Sequence, residues 1–186
     1  MTFRTSRTHP LRIDFVETST RRGRVGMTFC PGKCQLSSLT GGWKRDLMLD
    51  LEAIRNWGGR VLVSLMEARE FDTVSVPTHS ISTLTKDFGI EWIHIPIVDG
   101  LVPDETFLER WKKLVGILRD SLDRGDGVVF HCLGGLGRTG TMAACLLIET
   151  GVAATLAITA VRAARPGAIE NKAQEDFVLA YKPITR

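Results

Sequence analysis

The chain has little of what would assign a class from composition alone. No apolar run approaches the ~20 residues a helix needs to cross a bilayer. Residues 1–10 carry Arg4 and Arg7 among Thr and Ser and lack the apolar centre of a secretory signal. Neither sign of charge dominates: 24 Lys and Arg are interspersed with 21 Asp and Glu, for a net charge of +3. That slight excess suits anionic substrates and does not mark a nucleic-acid binder. Cysteine is sparse and irregular, 4 in 186 residues, so reduced thiols are expected rather than a disulfide framework. There is no internal repeat, no low-complexity tract and no linker, hence no sign of a second domain. With 44% hydrophobic and 24% charged residues, what remains is one globular domain with enough chain for a core, expected in the cytoplasm and with no oligomeric state implied.

Periodicity supplies an order of elements. Residues 1–10 read as a flexible basic leader and 11–186 as the domain. Leu11 to Val16 and Arg24 to Phe29 are β-like and predict an N-terminal hairpin. Trp43, Leu47, Leu51 and Ile54 share one helical face, stopped by Gly58-Gly59, and Arg60 to Leu65 reads as a buried strand. Glu67, Arg69 and Glu70 follow that strand where open parallel sheets place ligands; a solvated loop is the simpler reading, a pocket mouth the alternative. Ile81, Leu84 and Phe88 mark a short helix, Ile90 to Ile97 a strand, and Phe107 to Leu122 a strongly amphipathic helix. Thr141 to Thr150, Ala153 to Ala164 and Asn171 to Tyr181 complete the helices, with Cys145 an inert packed thiol in the first of them. The alternation predicts an α/β fold with a central, mostly parallel, twisted sheet flanked by helices.

The chemistry concentrates in Val128 to Thr141. A β-rich run ends in His131 and Cys132, a loop of Leu133, Gly134, Gly135, Leu136 and Gly137 follows, and a helix opens near Arg138. Three glycines free to take positive φ would turn successive N–H groups inward, and the helix N-terminus adds its positive dipole end. That concavity suits a tetrahedral dianion. Cys132 at its edge would be favoured as thiolate over thiol, and Arg138 offers a planar fork to two phosphoryl oxygens. Thr139 would place a hydroxyl where it can donate to the sulfur.

These residues, His131-Cys132-Leu133-Gly134-Gly135-Leu136-Gly137-Arg138-Thr139-Gly140, resemble the HCxxGxxR[ST]G signature of the cysteine-dependent protein tyrosine phosphatases. Chain length is similar to the dual-specificity branch, and the order of elements is most like that of the kinase-associated phosphatase. The resemblance implies a phosphatase-like fold and a metal-free, cofactor-free phosphomonoester hydrolase working through a cysteinyl-phosphate. Its substrate would be a phosphorylated protein, with phosphotyrosine and some phosphoserine or phosphothreonine activity. Asp99, in Ile-Pro-Ile-Val-Asp-Gly, matches the family's general-acid position; without the resemblance it reads as a turn aspartate. His131 resembles the histidine that braces the loop. Ala168 to Gln174 resembles the segment where larger relatives position water with glutamine, but Glu170 stands at the first such place and Gln174 four residues on, so either could equally be an exposed helix start. The only tyrosine, Tyr181, lies near the C-terminus, so a tyrosine-lined phosphotyrosine slot has no evident source.

Alternatives stand beside this reading. Leu133 and Leu136 make the variable loop positions apolar, a poorer fit to an inositol phosphate or phospholipid headgroup than to a phosphoprotein. A non-catalytic phosphoprotein-binding module would be expected to lack the nucleophile or the acid. The Gly135-x-Gly137-x-x-Gly140 match to a dinucleotide fingerprint lacks the following strand. The Cys30/Cys34 pair lacks two further ligands for a metal; a redox role toward Cys132 and plain loop thiols both remain open.

Overall fold

The computed structural model describes residues 3–18, 21–36 and 41–184. In chain order the elements are β1 (Asp14–Glu17), β2 (Arg24–Phe29), β3 (Cys34–Gln35), β4 (Trp43–Lys44), α1 (Leu47–Trp57), β5 (Gly59–Ser64), α2 (Ala68–Thr73), α3 (Thr78–Asp87), β6 (Glu91–His94), α4 (Glu105–Arg124), β7 (Gly127–Cys132), α5 (Gly137–Glu149), α6 (Ala154–Ala164) and α7 (Lys172–Ala180). Five strands form one sheet in the order β1-β2-β7-β5-β6. The β1–β2 pair is antiparallel, as the expected hairpin requires, and the other three pairs are parallel. The result is a mixed α/β sheet flanked by helices in a single domain.

The sheet is covered on both faces, which explains why β7 reads as an unbroken apolar run with every residue buried. Phe130 packs toward Trp111 of α4, with ring centroids 6.3 Å apart. Its neighbour Val129 points to the opposite face, where Ile54 of α1 lies against Gly59. α5 is buried along its whole length between the sheet and α4, α6 and α7, and its run of Met142, Ala143 and Ala144 allows that close approach. Cys145 is fully buried, and burial, with a smaller push from Glu149, raises its thiol well above the ordinary range.

Two expectations need correction. Trp43 is not the first residue of a helix: it lies in β4, and Asp46 caps α1 by accepting from the Leu49 N–H at 3.1 Å. The leader is not frayed over its described part. The Arg4 N–H donates to the Gly42 carbonyl and the Lys44 N–H to the Arg4 carbonyl, each at 3.0 Å, and Arg45 donates to the His9 carbonyl at 2.8 Å. The segment adds backbone pairing to β4, which its polar composition does not advertise; Met1 and Thr2 lie outside the described residues. Among the described residues no helix is long and apolar enough to cross a membrane.

Candidate active site

The C-terminal ends of β2, β7, β5 and β6 converge on one edge of the sheet. Parallel pairing there sets Phe29 opposite Cys132 and Ser64 opposite both His131 and His94. Cys132 is 4% exposed, and the Gly135 N–H donates to its sulfur at 3.2 Å. Of the three loop glycines only Gly135 takes positive φ, 74°, and a Cβ there would collide with the Thr28 carbonyl. Gly134 adopts no such angle. Gly137 opens α5, and its missing side chain leaves room for Glu170 and Gln174.

Arg138 projects from the first turn of α5 and is 2% exposed. Its Nη1 and Nη2 donate to the two oxygens of Glu70 at 2.6 and 2.7 Å, and Nη2 also reaches Asp99 Oδ1 at 2.8 Å. Nη1 further meets the carbonyls of Ile97 (3.1 Å) and Leu65 (3.4 Å), whereas Nε has no partner among the described residues. Burial works against this charge. The Glu70 hydrogen bonds, with the charges of Cys132, Glu70 and Asp99, outweigh it and hold the guanidinium above its ordinary value. Asp99 has a side chain 71% exposed, on a loop where Gly100 takes φ 74° and the exposed Val98 and Leu101 stand to either side.

His131 is wholly buried, directly before Cys132 in β7. Trp92 Nε1–H donates to Ser64 Oγ at 2.8 Å, so the Ser64 hydroxyl is left to donate to His131 Nε2 at 2.5 Å, and Nδ1–H faces the Cys132 carbonyl at 3.4 Å. Burial pushes the imidazole down to about 3, against the raising effect of the Cys132 carbonyl and with smaller lowering from His94 and Arg138. A ring held neutral is suited to bracing the loop. Thr139 is buried and its hydroxyl has no partner among the described residues; the sulfur is held by the Gly135 amide instead.

Comparison with known proteins agrees with this geometry. Residues 43–152 match the Tc-R-P family model, described as polymorphic toxin system, DSP-PTPase phosphatase. Protein tyrosine phosphatase type IVA 3 of Mus musculus is 30% identical over 171 residues, spanning 92% of this chain and 86% of that one. The PRL-1 phosphatase of Leishmania major is 35% identical over 120 residues, 61% of this chain and 67% of its own. The crystal structure of kinase associated phosphatase, its catalytic cysteine replaced by serine, superposes with a TM-score of 0.76 at 25% identity, covering 91% of this chain and 92% of that one. This chain belongs to the DSP-PTPase phosphatases, within the protein tyrosine phosphatases.

In this phosphatase several supporting groups had no signal in the pattern reading. Glu67 to Glu70 are not a solvated loop: Glu67 and Glu70 form a reciprocal cap at the start of α2, and Glu70 clamps Arg138 from 68 positions away in the chain. Arg165 donates to the carbonyls of Gly135 (2.5 Å) and Gly134 (3.2 Å) while pairing with Asp14 at 2.7 Å, which keeps those carbonyls turned out of the cradle. Asn171 caps α7 by accepting from the Gln174 N–H at 2.9 Å and donates to the Gly100 carbonyl at 3.0 Å, tying the Asp99 loop to the last helix. Its spacing from Gln174 is a helix-start signature that could have flagged it. Gln174 is buried rather than an exposed helix start; its Oε1 accepts from the Glu170 N–H at 3.0 Å and its Nε2 is unpartnered among the described residues. Glu170 is exposed at the cradle's edge.

Proposed function

We propose that the protein hydrolyses phosphotyrosine, and phosphoserine or phosphothreonine at lower rates, in phosphorylated proteins. Cys132 attacks phosphorus in line, forming an S–P bond as the P–O bond breaks, and Asp99 gives its proton to the leaving oxygen. Water then attacks the cysteinyl-phosphate, Asp99 accepts its proton, and the free Thr139 hydroxyl donates to the departing sulfur. The loop amides and Arg138 carry the charge that spreads over the equatorial oxygens. No step asks for a metal or cofactor.

One observation carries this reading: the Cys132 sulfur accepts from the Gly135 amide, and the Arg138 guanidinium on which its charge acts is fixed by Glu70 and keeps an Nε unpartnered among the described residues. Asp99 pairs with Nη2, a position a phosphoryl oxygen would take. Substrate binding displaces the carboxylate toward the leaving group. Val98 and Leu101 supply apolar walls for the phosphorylated residue. Tyr181 donates to Glu149 and accepts from Trp111, and the pocket it lines lies between α4 and the C-terminal segment, with no residue of the cradle in its wall. The relatives' names, protein tyrosine phosphatase, support a phosphoprotein over an inositol phosphate. The test is hydrolysis of p-nitrophenyl phosphate and of phosphopeptides in EDTA by wild type and Cys132→Ser. Turnover that vanishes in the variant is expected; peptide binding without turnover by wild type would make the protein a recognition module.

A further inference from the structure

The loop after β2 ends on the same edge of the sheet as Cys132, and it carries a cation with no carboxylate. Lys33 is only 7% exposed, and among the described residues no salt bridge or hydrogen bond reaches its ammonium. The nitrogen sits between two rings, 4.6 Å from the centre of Phe29 and 4.7 Å from that of Trp43. Phe29 is the residue paired opposite Cys132, which places the ammonium at the flank of the phosphoryl cradle. The groups that act on its charge include Cys30, Arg45, Cys132 and Arg165.

The neighbouring cations are arranged differently. Arg45 forms a two-pronged pair with Asp50 at 2.7 Å, Arg165 pairs with Asp14 at 2.7 Å, and Arg138 has Glu70 and Asp99. Lys33 alone of these four has only ring faces. Cation–π contact compensates a desolvated ammonium in part, worth about 2 kcal/mol, whereas a buried charge is normally matched by a counter-ion. Burial accordingly pulls the Lys33 ammonium below its ordinary range.

We propose that Lys33 is a second anion subsite beside the cradle, so that the enzyme selects phosphomonoesters bearing another negative group, a carboxylate or a second phosphate, next to the scissile one. This deepens the phosphatase reading and rests on it. The scissile phosphate is bound by the loop and Arg138; the second anion completes the ring-lined cage that holds Lys33.

The test uses the full chain and three phosphotyrosine peptides that differ only in the residues flanking the phosphotyrosine: neutral, glutamate, or a non-hydrolysable phosphoserine mimic. The readout is the ratio of kcat/KM for each acidic peptide to that for the neutral one, in wild type, Lys33→Met and Lys33→Arg. Wild type should favour the acidic peptides on the order of tenfold or more. Lys33→Met should bring the ratio to about one, and Lys33→Arg should restore most of it. A preference for only one acidic peptide identifies which anion the subsite takes. If Lys33→Met does not fold, Lys33→Gln, which keeps most of the stem between Phe29 and Trp43 without the charge, is the second variant and should likewise bring the ratio to about one. A wild-type ratio near one, or a ratio that survives in Lys33→Met, overturns the proposal. A wild type that does not turn over p-nitrophenyl phosphate at all overturns the phosphatase reading instead.

Discussion

Replacing Glu70 by glutamine tests the idea that a carboxylate remote in sequence fixes Arg138 for the proposed phosphate binding. Both Arg138 Nη atoms bond to Glu70, at 2.6 and 2.7 Å, and the side chains are 1% and 12% exposed. Removing one partner of a buried pair costs roughly 3–5 kcal/mol. Some of that is retained here, since Asp99 and the Ile97 and Leu65 carbonyls still accept from the guanidinium and the amide keeps one oxygen. We therefore expect Glu70→Gln to lower unfolding free energy by about 2 kcal/mol, below the full cost of a broken buried pair. The rate should suffer more than the fold, because a guanidinium displaced by ~1 Å from the equatorial oxygens costs on the order of a hundredfold in kcat. Urea titration gives the first quantity and steady-state hydrolysis of p-nitrophenyl phosphate the second. A variant within twofold of wild type in kcat would show that Glu70 does not position Arg138.

Three further outcomes follow from the same geometry. Asp99→Ala should lose on the order of 100-fold or more in kcat with alkyl phosphates and far less with p-nitrophenyl phosphate, whose leaving group needs no proton; equal losses on both would remove Asp99 as the acid. His131, ordinarily near 6.5, is pushed down to about 3 in the fold. The unfolded chain therefore takes up that proton first, so the stability contribution is complete above about pH 6.5 and drains as pH falls toward 3, by up to about 1.4 kcal/mol per pH unit. His131→Asn should flatten that slope in urea titrations. Gly135→Ala should destabilise the protein by more than about 2 kcal/mol, from its positive φ and the collision with Thr28, whereas Gly134→Ala, with nothing within 4 Å, should unfold like wild type.

The glycine loop after Cys132, α4 and the buried helix after the signature were legible because each is written in contiguous residues. Glu70 was not, because its meaning depends on a partner 68 residues away, and the helix that aims it is only 6 residues long. Trp43 shared the helical spacing of Leu47, Leu51 and Ile54, yet Asp46 caps the helix after it and Arg4 pairs with it as a strand. Three equivalent-looking glycines proved to have three different duties: a left-handed turn at Gly135, clearance for Glu170 and Gln174 at Gly137, and open space at Gly134. Lys33 reads as an ordinary turn residue until Phe29 and Trp43 are seen to close over it.

The central claim is that the Cys132 sulfur takes the phosphoryl group. Rapid acid quench of the enzyme turning over p-nitrophenyl phosphate, followed by mass spectrometry of its peptides, tests it directly. A phosphoryl adduct on the Cys132 peptide, formed in a burst and absent in Cys132→Ser, is the predicted result; full turnover with no adduct on that cysteine, or undiminished turnover by the serine variant, would contradict it.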